Sequence, residues 1–249
     1  MNTEILCIIP ARGGSKSIPR KNLIEILDKP LISWTIEVAK ASKFITRIIV
    51  STDDDEIAQV SKFYGAEVPF IRPSKFAQDT SRDIEYHMHA LNWFNKNEPS
   101  YKPFAIVNLR PTTPLREPKI IDEAISLFLE NPEADSLRSV QISNENPYKM
   151  WAINNNYLKK ITYIENINEP FNEPRQELPV TYWQNGYIDI VKREIIKKEK
   201  STTGRKVLSF IIDNPSIDLD YPEEIKEAEK QLTDKFSSKK KTNNNFKNK

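Results

Sequence analysis

Residues 12–22 read Arg-Gly-Gly-Ser-Lys-Ser-Ile-Pro-Arg-Lys-Asn, which places Arg12, Lys16, Arg20 and Lys21 around Gly13-Gly14-Ser15. Four cations in one short turn can neutralise a polyphosphate, and glycines let a backbone turn tightly and offer N–H groups to phosphate oxygens. The whole chain contains five glycines, so two adjacent ones mark a constrained position. The loop matches neither a Walker A sequence, G-x-x-x-x-G-K-[ST], nor the dinucleotide fingerprint G-x-G-x-x-G. Two readings stay open on the residues alone: a nucleoside triphosphate site, or a basic surface turn.

A second constellation lies near the other end. In Ser216-Ile-Asp-Leu-Asp220, an extended backbone puts Ile217 and Leu219 on one face and Asp218 and Asp220 on the other. Two hard oxygen donors suit Mg²⁺, which keeps waters and takes further ligands from substrate phosphates. The competing reading makes Asp220 the cap of a helix that starts near Pro222. His87 and His89 stand two apart on a predicted helix and face different ways, so they do not make a zinc site.

These residues need a scaffold, and the periodicity supplies one. Ile5-Leu6-Cys7-Ile8-Ile9 is a short, unbroken apolar run that ends in turn residues, the pattern of a strand buried on both faces of a parallel sheet. A helix follows Pro30 with Ile32, Ile36 and Ala39 on one face, then a strand at 47–51. Asp53-x-x-Glu56 resembles a capping box, with Ile57, Val60 and Tyr64 inward behind it. Further strands are predicted at 66–71 and 104–109. Helices are predicted at 83–96, with Ile84, Met88, Leu91 and Phe94 apolar, and at 117–130, around Ile121, Ala124, Ile125 and Phe128. Strand character returns at 185–191 and 207–212, and a helix over 222–232 closes the fold. Alternating strands and helices predict a mostly parallel sheet with helices on both faces.

The rhythm fails between about 143 and 183, where Tyr148, Trp151, Tyr157, Tyr163, Phe171, Tyr182 and Trp183 stand among Asn, Pro and Glu. So many aromatics predict burial, either in an arm against a second subunit or in a satellite sheet on the same domain.

The 249 residues carry a formal charge of +2, with six lysines and one acid in 233–249. The remaining 1–232 hold 31 basic and 34 acidic residues, so the folded part is mildly acidic and its cations matter only where they cluster. The Lys/Asn-rich tail predicts disorder. No apolar stretch approaches the ~20 residues that span a bilayer, and no signal peptide is expected. Cys7 is the one cysteine and reads as a buried hydrophobe, which agrees with a cytoplasmic location. Neither nucleic acid nor membrane is an expected partner.

Taken in order, Ile9-Pro-Ala-Arg-Gly-Gly-Ser-Lys16, Lys21-Asn22, Ser51-Thr-Asp-Asp54, Gly65-Ala-Glu-Val-Pro69 and Arg72-Pro73 resemble the acylneuraminate cytidylyltransferases. Pro111-Thr-Thr-Pro-Leu-Arg116, Pro147-Tyr-Lys-Met150, Arg175-Gln176, Leu178-Pro179, Asn185-Gly186 and Asp218-Leu-Asp220 continue the match to about residue 232. Enzymes of that family activate sialic-acid-like 2-keto sugars as CMP conjugates. The resemblance implies a Rossmann-like sheet of the nucleotide-diphospho-sugar transferase type, one domain over 1–232, and a homodimer with 143–183 as its arm. It implies CTP and an acidic 2-keto sugar as substrates, and Mg²⁺ on Asp218 and Asp220.

It also assigns Arg12, Ser15, Lys16, Lys21 and Asn22 to the triphosphate. Arg72, with Asp79 and Ser81 in the segment 79–81, falls to the cytosine. Outside the resemblance Arg72 reads as a surface charge before a proline, and Asp79 as a helix cap. Arg175 and Gln176 take the sugar carboxylate and Asn185 another sugar group, although Arg175 could equally stack on a ring or bridge subunits. Lys21 and Asp218 are the implied catalytic residues, with Asp218 or a metal-bound hydroxide taking the proton.

One position departs: many relatives have Gln where this chain has Arg110, in Leu109-Arg-Pro-Thr-Thr-Pro-Leu-Arg116. A cation there is expected to bind the sugar and favour one that presents an acceptor, such as an acyl carbonyl. Two rivals remain: a nucleotidyltransferase using another base or a sugar 1-phosphate, and a non-catalytic relative of the same fold.

Overall fold

The computed structural model describes residues 3–213 and 217–247. Ser216 and residues 248–249 of the expected tail lie outside them, as do the side chains from 238 onward. The chain order is β1 (Ile5–Pro10), β2 (Glu25–Ile26), β3 (Lys29–Pro30), α1 (Leu31–Ala41), β4 (Arg47–Ser51), α2 (Asp55–Phe63), α3 (Asp83–Asn97), β5 (Ala105–Asn108), α4 (Pro118–Glu130) and β6 (Ser136–Ile142). There follow β7 (Trp151–Asn154), β8 (Tyr157–Lys160), β9 (Tyr182–Lys192), α5 (Arg193–Glu199), β10 (Val207–Ile211) and α6 (Glu223–Lys247).

Six strands form one sheet in the order β10-β6-β9-β5-β1-β4. Neighbours β1/β4, β1/β5 and β6/β10 are parallel, while β9 runs antiparallel to both β5 and β6. Five strands therefore point one way and one is reversed. The apolar run in β1 is buried on both sides because its residues alternate between two cores. Ile5, Cys7 and Ile9 pack with α1, α2 and α4, whereas Leu6 and Ile8 pack with α3 and α5. Burial pushes the Cys7 thiol up to about 12, which makes it a packing group and not a nucleophile.

Three expectations are corrected. The strand predicted at 66–71 reduces to a single bridge, Ile49 to Glu67, because Pro69 and Pro73 remove the donors a ladder would need. The helix after Ser51 is capped by Asp54, whose carboxylate accepts from Ile57 N at 2.9 Å, one residue later than the Asp53 box. The closing helix does not stop at 232: α6 continues to Lys247, where a disordered tail was expected from 233. Phe236 packs on Trp34 at 5.9 Å between ring centroids, and Lys235 pairs with Glu117 at 3.0 Å.

Between β6 and β9 the chain makes the β7/β8 hairpin and three single 3₁₀ turns, Pro147–Lys149, Pro170–Asn172 and Arg175–Glu177. The region is thus a two-stranded hairpin with turns, and most of the aromatics expected to be buried there are not. Trp151 and Phe171 pack together at 4.4 Å. Ile153, Tyr157, Leu158, Tyr163 and Trp183 stay exposed, Tyr157 by 80%.

Candidate active site

The carboxyl ends of β1 and β5 and the segment after Arg72 open onto a cavity of about 470 Å³. In open α/β sheets such a crevice is where ligands bind. Arg12, Ser15, Lys16, Lys21 and Asn22 line it from the first loop, Arg72 and the turn 76–81 from another side, and Arg110–Thr112 with Asp220 from the rest. Nine residues assigned from the sequence to nucleotide, metal or sugar therefore meet at one place: Arg12, Ser15, Lys16, Lys21, Asn22, Arg72, Asp79, Ser81 and Asp220. Arg110 is the tenth.

The first loop is clamped rather than free. Asn22, nearly buried, donates its amide to Arg12 O at 2.9 Å, so that group shapes the loop. Gly13 N–H donates to Asp53 Oδ1 at 2.9 Å and is not available to a phosphate, contrary to the simple cradle expected of these glycines. Glycine is required at 13 because a Cβ there would meet Asp54 Oδ2 at 2.8 Å. Arg20 turns outward to Asp54 and Glu56, whereas Lys21 turns inward. The Lys21 ammonium donates to Leu219 O at 2.7 Å and to Asp220 Oδ1 at 3.0 Å.

Arg72 is the most unusual group in the cavity. It is 4% exposed, yet its Nε and Nη2 have no hydrogen-bond partner among the described residues. Asp53 Oδ1 is 4.0 Å away and the Tyr86 ring centroid 5.7 Å from the guanidinium carbon. Burial pulls its pKa down, and the charge of Asp53 opposes that pull. A buried cation with unmade hydrogen bonds is costly in an empty protein and is relieved by a ligand with acceptors. Ser81 holds the adjacent turn: its hydroxyl accepts from Gln78 N at 3.0 Å and donates to Lys75 O at 3.3 Å.

Arg110 lies in the cavity wall but is not waiting for an acceptor. It pairs with Asp83 and, at 3.1 Å, with Asp189, whose carboxylate also takes Arg138 at 2.7 Å. Asp83, Arg138 and Asp189 were not singled out in the sequence; no local spacing links them, because strand pairing and the start of α3 bring them together. Behind them His87 is fully buried, and burial together with Arg110 and Arg138 pushes its imidazole down to about 3.

A second buried arginine behaves differently from Arg72. Arg116 donates to the carbonyls of Tyr187 (2.5 Å), Arg110 (2.5 Å), Thr113 (3.0 Å) and Gly186 (3.1 Å). It ties the loop after β5 to β9, and burial lowers its pKa to about 10.

The alternation at 217–220 is as expected, with Leu219 buried and Asp218 and Asp220 exposed. Leu219 N donates to Thr112 O at 2.7 Å, so the segment bridges the loops after β1 and β5. Asp218 lies on the Gly186 side, with its Oδ2 3.9 Å from where a glycine Cβ would stand. The pair offers hard oxygens of the kind Mg²⁺ takes. Among the described residues no group of three or more His, Cys, Asp or Glu gathers around a metal position, so such an ion would complete its shell from water and phosphate.

Asp218, assigned from the sequence to catalysis and metal, does not line the cavity, and neither do Arg175, Gln176 and Asn185. Arg175 and Gln176 are exposed on the arm, Arg175 donating to Asn144 O at 2.7 Å. Asn185 accepts from Tyr187 N at 3.1 Å, and its buried Nδ2 has no partner among the described residues.

A cationic cavity at the strand ends of a five-up, one-down sheet makes this an α/β protein with a seat for an anionic ligand. A family model described as cytidylyltransferase matches residues 6–241, and the chain belongs to that family. It is 32% identical over 221 residues to an N-acylneuraminate cytidylyltransferase of Escherichia coli, covering 88% of this chain and half of that longer protein. It is 33% identical to the post-translational flagellin modification protein B of Campylobacter coli, over 94% of this chain and 97% of that one. A CMP-N,N'-diacetyllegionaminic acid synthase of Legionella pneumophila is 31% identical over 88% of this chain and 92% of its own. In fold, it is similar to a CMP:2-keto-3-deoxy-manno-octonic acid synthetase complexed with CTP, with a TM-score of 0.69, 16% identity and coverage of 94% and 100% of the two chains. No helix among the described residues is long and apolar enough to cross a membrane.

Proposed function

We propose that the protein joins CTP to an acidic 2-keto sugar of the sialic acid class, giving a CMP-sugar and pyrophosphate in the cytoplasm. The observation that carries this reading is Arg72, a buried guanidinium with unmade hydrogen bonds in the wall of a cavity that also collects Arg12, Lys16 and Lys21. Arg72 donates to the O2 and N3 acceptors of cytosine, and the turn 77–81, shaped by Ser81, closes on the base edge. Arg12, Lys16 and Lys21 hold the polyphosphate, on a loop whose shape Ser15 and Asn22 help to set. They stabilise the pyrophosphate as its charge grows on leaving.

The anomeric hydroxyl of the sugar attacks the α-phosphorus, the bond to the bridging oxygen breaks, and Asp218 takes the hydroxyl proton. Asp218 and Asp220 are the residues that would hold Mg²⁺, which would supply neutralisation of charge on the phosphates. Arg175 and Gln176 bind the sugar carboxylate, and Asn185 a further sugar group. Arg110 shapes the wall beside the sugar.

The exposed aromatic and aliphatic side chains of the arm support a homodimer in which the arm lies against the partner's sugar site. Pyrophosphate release, screened with four nucleotides against acidic and neutral sugars, tests the reading. Turnover with CTP and an acidic 2-keto sugar is expected; turnover with a neutral sugar 1-phosphate instead would replace it. Light scattering of a Leu158→Asp variant tests the dimer, which the substitution should break.

A further inference from the structure

Asp79 stands where the anion of a ligand is expected. Its Oδ1 lies 2.7 Å from Arg12 Nη1, and its other oxygen pairs with Lys16 Nζ. All three residues line the cavity. The two foremost cations of the polyphosphate seat are therefore neutralised by a carboxylate of the same chain. Lys16, then Arg12, hold the Asp79 carboxyl below the usual carboxylate range, in keeping with that pairing. This placement differs from a contact with the cytosine edge, which the sequence resemblance assigned to Asp79.

The carboxylate is delivered by a fixed turn. Gln78 N donates to Ser81 Oγ at 3.0 Å and Gln78 Nε2 to Ser74 O at 2.7 Å, while the Asp79 side chain itself is 35% exposed. It can swing away without unfolding anything. Exposed ion pairs are individually weak, so a triphosphate with about four negative charges repays their loss. A lone inorganic phosphate does so poorly.

We propose that Asp79 is a resident counter-anion of the polyphosphate seat. It fills Arg12 and Lys16 in the free enzyme, gives way to the incoming triphosphate, and returns as pyrophosphate leaves. It thereby lowers the affinity of the seat for every competing anion and speeds product release. The inference rests on the proposed reaction for the identity of the nucleotide, but its electrostatics can be tested without one.

The test measures binding of inorganic tripolyphosphate and pyrophosphate by calorimetry at low ionic strength, for wild type, Asp79→Asn and Asp79→Glu. Asp79→Asn should bind both about three- to tenfold more tightly, the gain shrinking as salt rises, and Asp79→Glu should stay near wild type. Unchanged or weaker binding by Asp79→Asn would overturn the proposal, and weaker CTP binding alone would return Asp79 to base recognition. A second measurement needs no variant: carbon NMR of the Asp79 carboxyl in wild type should show its pKa rise when tripolyphosphate is added. No rise would mean the carboxylate is not displaced. Wild-type protein that binds tripolyphosphate but not CTP would instead contradict the proposed reaction, and the Asp79 comparison would still be decided by the inorganic ligands.

Discussion

In the cavity, each cation arrives on a loop that other residues fix: Asn22 and Asp53 set the first loop, Thr52 O holds Arg72 N at 2.7 Å, and Arg116 pins the loop after β5. In the arm, Arg175 and Gln176 sit on a single turn beside a two-stranded hairpin, with Ile153 and Tyr157 more than three-quarters exposed. The cavity proposed for the nucleotide is formed within one chain, with Asn22 and Arg72 buried in it and Lys16 exposed at its edge. The residues proposed for the sugar are dispersed and flanked by exposed apolar side chains. On the proposed reading, binding energy for the nucleotide is built into this chain's fold, whereas the sugar residues need further contacts for their enclosure.

The contrast can be broken most forcefully at Arg116. Replacing it with Met leaves four carbonyls without their donor, so stability should fall by ~3 kcal/mol, read from urea unfolding. A loss below ~1 kcal/mol would mean the loop after β5 is not held as described.

Arg175→Ala should raise the sugar KM and lower kcat/KM by ~2 kcal/mol, the value of a charged hydrogen-bonding pair. CTP affinity and melting temperature should not move. A matching loss in CTP affinity would merge the two halves that the comparison separates.

The smallest effect is expected at Arg110. Because its charge is met by Asp83 and Asp189, Arg110→Gln should cost ~1–2 kcal/mol of stability and shift the preference among acidic sugars by less than ~1 kcal/mol. This revises the expectation of a guanidinium that seeks an acyl carbonyl. A larger shift in the ratio of kcat/KM values would restore it.

Which features the sequence disclosed follows from their range. The two-faced burial of β1, the basic loop and the alternation at 217–220 are local patterns, and all three are present in the fold. The sheet's reversed strand was not legible, because antiparallel pairing of β9 with β5 and β6 is a long-range choice. β6 was hidden as well: Ser136, Arg138 and Ser139 interrupt its apolar pattern, and two of these, Ser136 and Ser139, are buried with hydrogen bonds to Thr203 O and Ile188 N. The partners of Arg110 come from α3 and β9, so no spacing announces them. The arm's hairpin turns through Asn155-Asn156, both at positive φ, a signal that could have located it.

The central claim is that Arg72 is held buried with hydrogen bonds unmade for a ligand rather than for the fold. Calorimetric titration with CTP, beside thermal unfolding, of wild type and Arg72→Met tests it directly. The account predicts CTP affinity lower by about 100-fold in the variant, from two charged hydrogen bonds, with a melting temperature unchanged or raised because a desolvated charge has gone. A variant that melts well below wild type yet binds CTP as tightly would contradict it.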